Sequence, residues 1–201
     1  MPTHSGGGAV GSNDEDLTKR KKGKASKQTQ ARLRKELSSI KADPPPYVHV
    51  RCESNSLMWS FLIQGPPDSA YEGGWYWGKL EVSNEYPFWP PLIRILTPSG
   101  RFEADQWLCR TLSDYHPEGW QPSWNLAGLL MALLTLMVAD AFTPGALHPP
   151  MEISERRRLA RESLAWNKRQ LEFVRDFPDI DLLVASAALA SSKISPALQA
   201  S

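Results

Sequence analysis

The sequence predicts an α+β fold, and three features of its order carry the prediction. A short amphipathic helix comes first. Four strand-like runs follow, joined by connections too short to hold a crossover helix, so the strands must form an antiparallel meander. A long irregular segment then leads into strongly apolar helical sequence.

Taken in order, residues 1–27 are rich in Gly, Ser, Thr and Lys and lack periodic apolar positions, which predicts a disordered basic extension. Residues 1–30 hold six Lys/Arg against three Asp/Glu, and "KRKKGK" at 19–24 reads either as a solvated tail or as a nuclear-import or acidic-partner patch. From Gln28, Leu33, Leu37 and Ile40 fall on one helical face, with Arg32, Arg34 and Lys35 mostly off it. "DPPP" at 43–46 ends that helix. The strand runs are Tyr47–Glu53, Leu57–Gln64, Tyr76–Ser83 and Pro91–Thr97, each bounded by turn residues.

Residues 98–123 form a long loop carrying Phe102, Trp107, Leu108, Leu112 and Trp120, so it is expected to pack. A central buried helix is predicted over Trp124–Ala139 with Ser123 as N-cap. A Pro-bearing linker leads to a C-terminal helix over Ile153–Asp176, and residues 179–201 read as a flexible tail. Residues 28–178 are then the folded domain.

Composition excludes several classes. The formal net charge of +1 gives no footprint for nucleic acid. Two cysteines, Cys52 and Cys109, form neither a disulfide framework nor a CxxC metal pair, and they suit a reducing compartment. The apolar run Leu126–Ala139 is shorter than the roughly 20 residues a bilayer-spanning helix needs. The chain end fails the same test, so no transmembrane segment is expected in this chain. The start of the chain lacks the apolar stretch of a signal peptide.

The chemistry centres on Cys109, a lone thiol in the long loop. A cysteine hydrolase needs an imidazole paired with the thiol. His4 lies in the tail and His49 in a strand, and His116 and His148 both precede proline, where they read as turn residues. Without a dedicated base, Cys109 suits acyl exchange: it takes an acyl group from another thioester and passes it to an amine or hydroxyl. Cys52, in the first strand run, reads as structural.

"GPPDSAYEGGWYWGKLEVSNEYPFWPPLIRILTPSGRF", then "WLCRTL" and "GWQPSWNLAGLLMALLTLM", resemble a ubiquitin-conjugating enzyme over about Gln28 to Pro178. The markers stand in family order, with Trp120-x-Pro122 eleven residues after Cys109. "SGRF" after Thr97-Pro98 and the long "SDYHPEGWQPSW" resemble the tail-anchored branch of endoplasmic-reticulum-associated degradation. The resemblance implies the ubiquitin-conjugating (UBC) fold and a transferase.

Under that resemblance Cys109 is the thioester-forming residue. Ser99 stands where the family has an asparagine, read as oxyanion donor or loop organiser, and departs even from the branch's Thr-Pro-Asn. Thr143 falls near the family's gate beside the cysteine, and His116 lies where it can orient a nucleophile. Arg32 and Lys35 match the surface that meets the activating enzyme, and Phe88 and Pro122 match the two loop tips that dock RING-type ligases. Trp89, beside Phe88, is placed to influence ligase choice. Tyr71, Gly73 and Gly74 read as turn-setting residues, and Trp120 and Trp124 as packing beneath the loop. The implied partners are ubiquitin, the activating enzyme, a RING ligase and substrate proteins; ATP is used upstream, and this chain needs no cofactor. The expected location is cytoplasmic, at the cytosolic face of the endoplasmic reticulum through partners, with a nuclear location left open. The competing reading is a weak or inactive interaction module of the same fold, and a cysteine hydrolase ranks third.

Overall fold

The computed structural model describes residues 24–53, 56–108, 120–139 and 146–194, with side chains described as far as residue 190. The basic extension before residue 24 therefore lies outside the described residues.

Helix α1 spans Lys27–Ala42. Ser26 caps it by accepting from Thr29 N at 3.0 Å, and Thr29, Leu33, Glu36 and Ile40 form its buried face. The strands are β1 (Val48–Cys52), β2 (Met58–Gln64), β3 (Trp75–Glu81) and β4 (Leu92–Ile95). They pair antiparallel in sequence order, as the short connections require. Val50, Phe61, Gly78 and Ile95 line up across the sheet. The β2–β3 connection closes through Gly65 N to Gly74 O at 2.8 Å. A side chain at Gly65 would collide with the Tyr71 carbonyl, so this close approach requires glycine.

Strand alternation is hard to read in the sequence because both sheet faces are covered. On one face Trp59, Phe61, Ile63, Tyr76, Leu80 and Ile93 join the core with Leu33 and Ile40 of α1. That core also takes Leu126, Leu129, Leu130, Leu133, Leu134 and Met137 of α2, which spans Leu126–Val138. On the other face Leu62, Trp75 and Trp77 meet Phe173, Phe177 and Ile180.

Three expectations need correction. Asn125, not Ser123, caps α2, accepting from Gly128 N at 2.7 Å, and Trp124 lies outside the helix. The single C-terminal helix is two, α3 (Ile153–Lys168) and α4 (Leu171–Asp176). It breaks where buried Asn167 turns its side chain onto the sheet, donating to Trp75 O at 2.7 Å. Residues after 179 are expected as a loose tail, yet Ile180–Ile194 form helix α5. Buried Ile180 starts that helix, and Leu183, Val184 and Ala187 pack on the second apolar cluster, which supplies the tertiary contact a short helix needs.

Candidate active site and docking surfaces

The chain that leads to Cys109 is pinned from β4 onward. Thr97 Oγ1 accepts from Trp77 N at 2.8 Å and donates to Asn167 Oδ1 at 2.6 Å, tying the end of β4 to α3. Ser99 is 1% exposed, and its hydroxyl accepts from Arg101 N at 3.2 Å and Phe102 N at 3.4 Å. Its two acceptor sites are thus used to turn the chain, as short hydroxyl side chains often do. Gly100 has φ +69°, and a side chain there would meet Met151 Sδ at 2.6 Å. Arg101 is buried, with Nε donating to Leu136 O of α2 at 3.2 Å and its guanidinium over the Phe102 ring.

The chain then doubles back beside β4. Asp105 N bonds Ile95 O at 2.8 Å, and the Arg94 guanidinium covers Trp107 at 4.7 Å. Leu108 is buried, and its N–H bonds Ile93 O at 2.6 Å. Residue 109 therefore follows directly on a fixed anchor. From the other side, Phe102 bridges Ala146, and Leu147 N bonds Arg101 O at 2.9 Å, fixing the chain three residues after Thr143. Cys109, His116 and Thr143 themselves lie outside the described residues.

Cys52 is a poor nucleophile. It lies half-buried at the end of β1, where burial first and the nearby Glu53 carboxylate second push its thiol up to about 11. His49 stacks on Trp75 at 5.9 Å, and burial holds its imidazole below the ordinary value.

The two expected docking tips are brought together. Phe88 is 65% and Trp89 49% exposed, and Pro122 is exposed on the neighbouring turn. Trp120 is buried between them, donating from Nε1 to Pro87 O at 2.7 Å. Its ring meets Tyr86 at 6.3 Å and Trp124 edge-on at 5.6 Å. Trp120 is buried against the Tyr86–Pro87 segment, whereas Trp124 is 45% exposed and widens the apolar surface.

Arg32 and Lys35 differ. Lys35 is exposed on α1. Arg32 is engaged internally, bonding Glu36 and reaching Trp124 O at 2.8 Å. Sequence reasoning missed Glu36, whose signal was a carboxylate in the apolar stripe of α1, between Leu33 and Ile40. It also missed Lys79, a lysine inside a strand buried on both faces. Tyr71 is buried and Gly73 has φ +74°, in keeping with a turn-setting role.

Comparison with known proteins follows this geometry. A family model described as ubiquitin-conjugating enzyme matches residues 32–156. The "Ubiquitin-conjugating enzyme E2 6" of Debaryomyces hansenii is 42% identical over 158 residues, covering 78% of this chain and 64% of its own length. The human "Ubiquitin-conjugating enzyme E2 J2" is 40% identical over 152 residues, covering 74% of this chain and 57% of its own. The chain thus spans less than two thirds of the length of these relatives. A structure of human ubiquitin-conjugating enzyme E2 G1 aligns with a TM-score of 0.48 and 25% identity, over 54% of this chain and 93% of that one.

Proposed function

This chain belongs to the ubiquitin-conjugating enzyme family, and from that premise we propose that Cys109 accepts ubiquitin from the activating enzyme and passes it, with a RING-type ligase, to substrate proteins. The Cys109 thiolate attacks the carbonyl of the incoming ubiquitin thioester. A new C–S bond forms, and the activating enzyme's thiolate leaves. The step exchanges one thioester for another and needs mainly positioning. A substrate lysine amine then attacks the same carbonyl, loses a proton, and expels the Cys109 thiolate. A serine or threonine hydroxyl reacts in the same way to give an ester.

The observation that supports this reading is the anchoring of Leu108 to Ile93 O, which fixes the backbone one residue before the thiol. Cys52 is withheld from competing by burial. Ser99 acts as the organiser of the loop: its buried hydroxyl accepts two backbone N–H groups and turns the chain ahead of the thiol. His116 and Thr143 are assigned to the walls around the thioester, where they orient or gate the nucleophile. Lys35 is the more available of the two basic residues assigned to the activating enzyme. Phe88 and Pro122, with Trp89 and Trp124, form the ligase-docking surface.

The resemblance of "SGRF" and "SDYHPEGWQPSW" to the tail-anchored branch supports a role in endoplasmic-reticulum-associated degradation, at the cytosolic face of that membrane. Among the described residues no helix is long and apolar enough to cross a bilayer.

Incubation with activating enzyme, ATP and ubiquitin tests the reading. A ubiquitin adduct that a thiol reductant removes is expected. No adduct with a competent activating enzyme would favour the interaction module, and ATP-independent cleavage of ubiquitin conjugates would favour a hydrolase.

A further inference from the structure

Glu36 is a buried carboxylate that ties its own helix to two other segments of the chain. Oε1 accepts from Arg32 on its own helix and from the Tyr86 hydroxyl at 2.7 Å. Oε2 accepts from Leu126 N, the first residue of α2, at 2.8 Å. A carboxylate at a helix N-terminus is well matched to the N–H groups that the helix leaves unpaired there. Each segment it holds continues into an exposed tip. Tyr86 leads through Pro87 to Phe88 and Trp89, and Leu126 follows the Pro122–Trp124 turn. Arg32 reinforces the second connection by donating to Trp124 O, and Thr29 Oγ1 reinforces the first by donating to Tyr86 O at 2.9 Å.

We propose that Glu36 is a positioning residue for ligase docking, setting the two apolar tips in register from inside α1 without itself touching the ligase. The proposal rests on the docking reading above. Its physical basis is that a flat two-tip surface binds well only when both tips are already in place, since ordering them on binding costs affinity. One carboxylate with two oxygens supplies that registration. Glutamine has the same shape but replaces one acceptor with a donor, so it must give up either Leu126 N or Arg32, which itself holds Trp124 O.

The test uses a RING domain selected from a panel for stimulating ubiquitin discharge by the wild-type chain. Glu36→Gln should weaken binding of that domain by about three- to tenfold, the range expected of coupling residues. Charging by the activating enzyme and discharge to free lysine without ligase should stay near wild type. Tyr86→Phe, which removes one donor only, should give a smaller loss of the same kind and serves if Glu36→Gln does not fold. In a double-mutant cycle, Glu36→Gln should add little to Phe88→Ala, because the tip it positions is already disabled. Ligase binding that survives Phe88→Ala, or a panel with no stimulating domain, would overturn the docking reading on which the proposal rests. Ligase binding lost in Phe88→Ala but retained in Glu36→Gln and Tyr86→Phe would overturn the role of Glu36 alone. Equal losses in charging, unassisted discharge and ligase binding, with strictly additive effects in the cycle, would make Glu36 a stability residue and also overturn the proposal.

Discussion

Ser99 and Cys52 show how a side chain's surroundings decide its chemistry. Ser99 stands where the family resemblance places an asparagine, and its buried hydroxyl accepts two backbone N–H groups. Ser99→Ala should therefore destabilise the loop by about 1 kcal/mol, the net worth of a typical hydrogen bond. Charging and discharge should fall together, since the loop presents the thiol to both partners. Rates of the two half-reactions measured separately check this; loss of discharge alone would instead make Ser99 an oxyanion donor. Cys52 needs a pH near 11 to ionise appreciably. A thiol-alkylating reagent at neutral pH should label Cys109 well ahead of Cys52, and peptide mapping of the labelled chain reads the ratio.

At the scale of elements, α4 is held over the sheet by a charged cluster. Lys79 is 3% exposed, and its ammonium bonds Ser60 Oγ at 2.8 Å, Glu172 at 2.9 Å and Asp176. Burial alone would raise the Asp176 pKa, but hydrogen bonds from Lys79 and Ser60 and the lysine charge together outweigh it and lower the value. A carboxyl with a lowered folded-state pKa contributes stability that is complete above its unfolded value near 3.8. That contribution disappears as pH falls through the lowered folded-state value. Asp176→Asn should cost about 2 kcal/mol at neutral pH, in the range for hydrogen bonds to charged groups. The wild-type advantage should shrink below pH 4, which denaturant melts at pH 7 and at pH 3 to 4 would measure. An unchanged gap between the two chains across that range would contradict the assignment. Phe177 is fully buried beside Phe173 in the same cover. Phe177→Ala should cost about 3 kcal/mol or more.

The same element explains what sequence could and could not reveal. Helix α1, the meander and the core of α2 were legible because their apolar period and turn residues act locally. Helix α5 was not, because its apolar residues are interspersed with Ala and Ser and gain order only by packing on Leu62, Trp75 and Trp77 from distant strands. Cys109 and the loop tips stand out in the sequence only through motifs in family order, and Cys109 lies outside the described residues. Glu36 was not, since a glutamate on a helix ordinarily faces water, and only the fold brings Tyr86 and Leu126 to it.

For the whole molecule, the proposed function asks one fold to serve three encounters. The sheet and α3 anchor the approach to Cys109, α1 offers Lys35 on its exposed side, and the Phe88 and Pro122 tips stand together on the surface. The account turns on where the thioester forms. The most direct measurement is the intact mass of the chain after charging with ubiquitin, for the wild type, Cys109→Ser and Cys52→Ser. The account predicts one added ubiquitin on the wild type and on Cys52→Ser, removed by thiol reductant, and a reductant-stable ester or no adduct on Cys109→Ser. A reductant-sensitive adduct that persists in Cys109→Ser and vanishes in Cys52→Ser would contradict it.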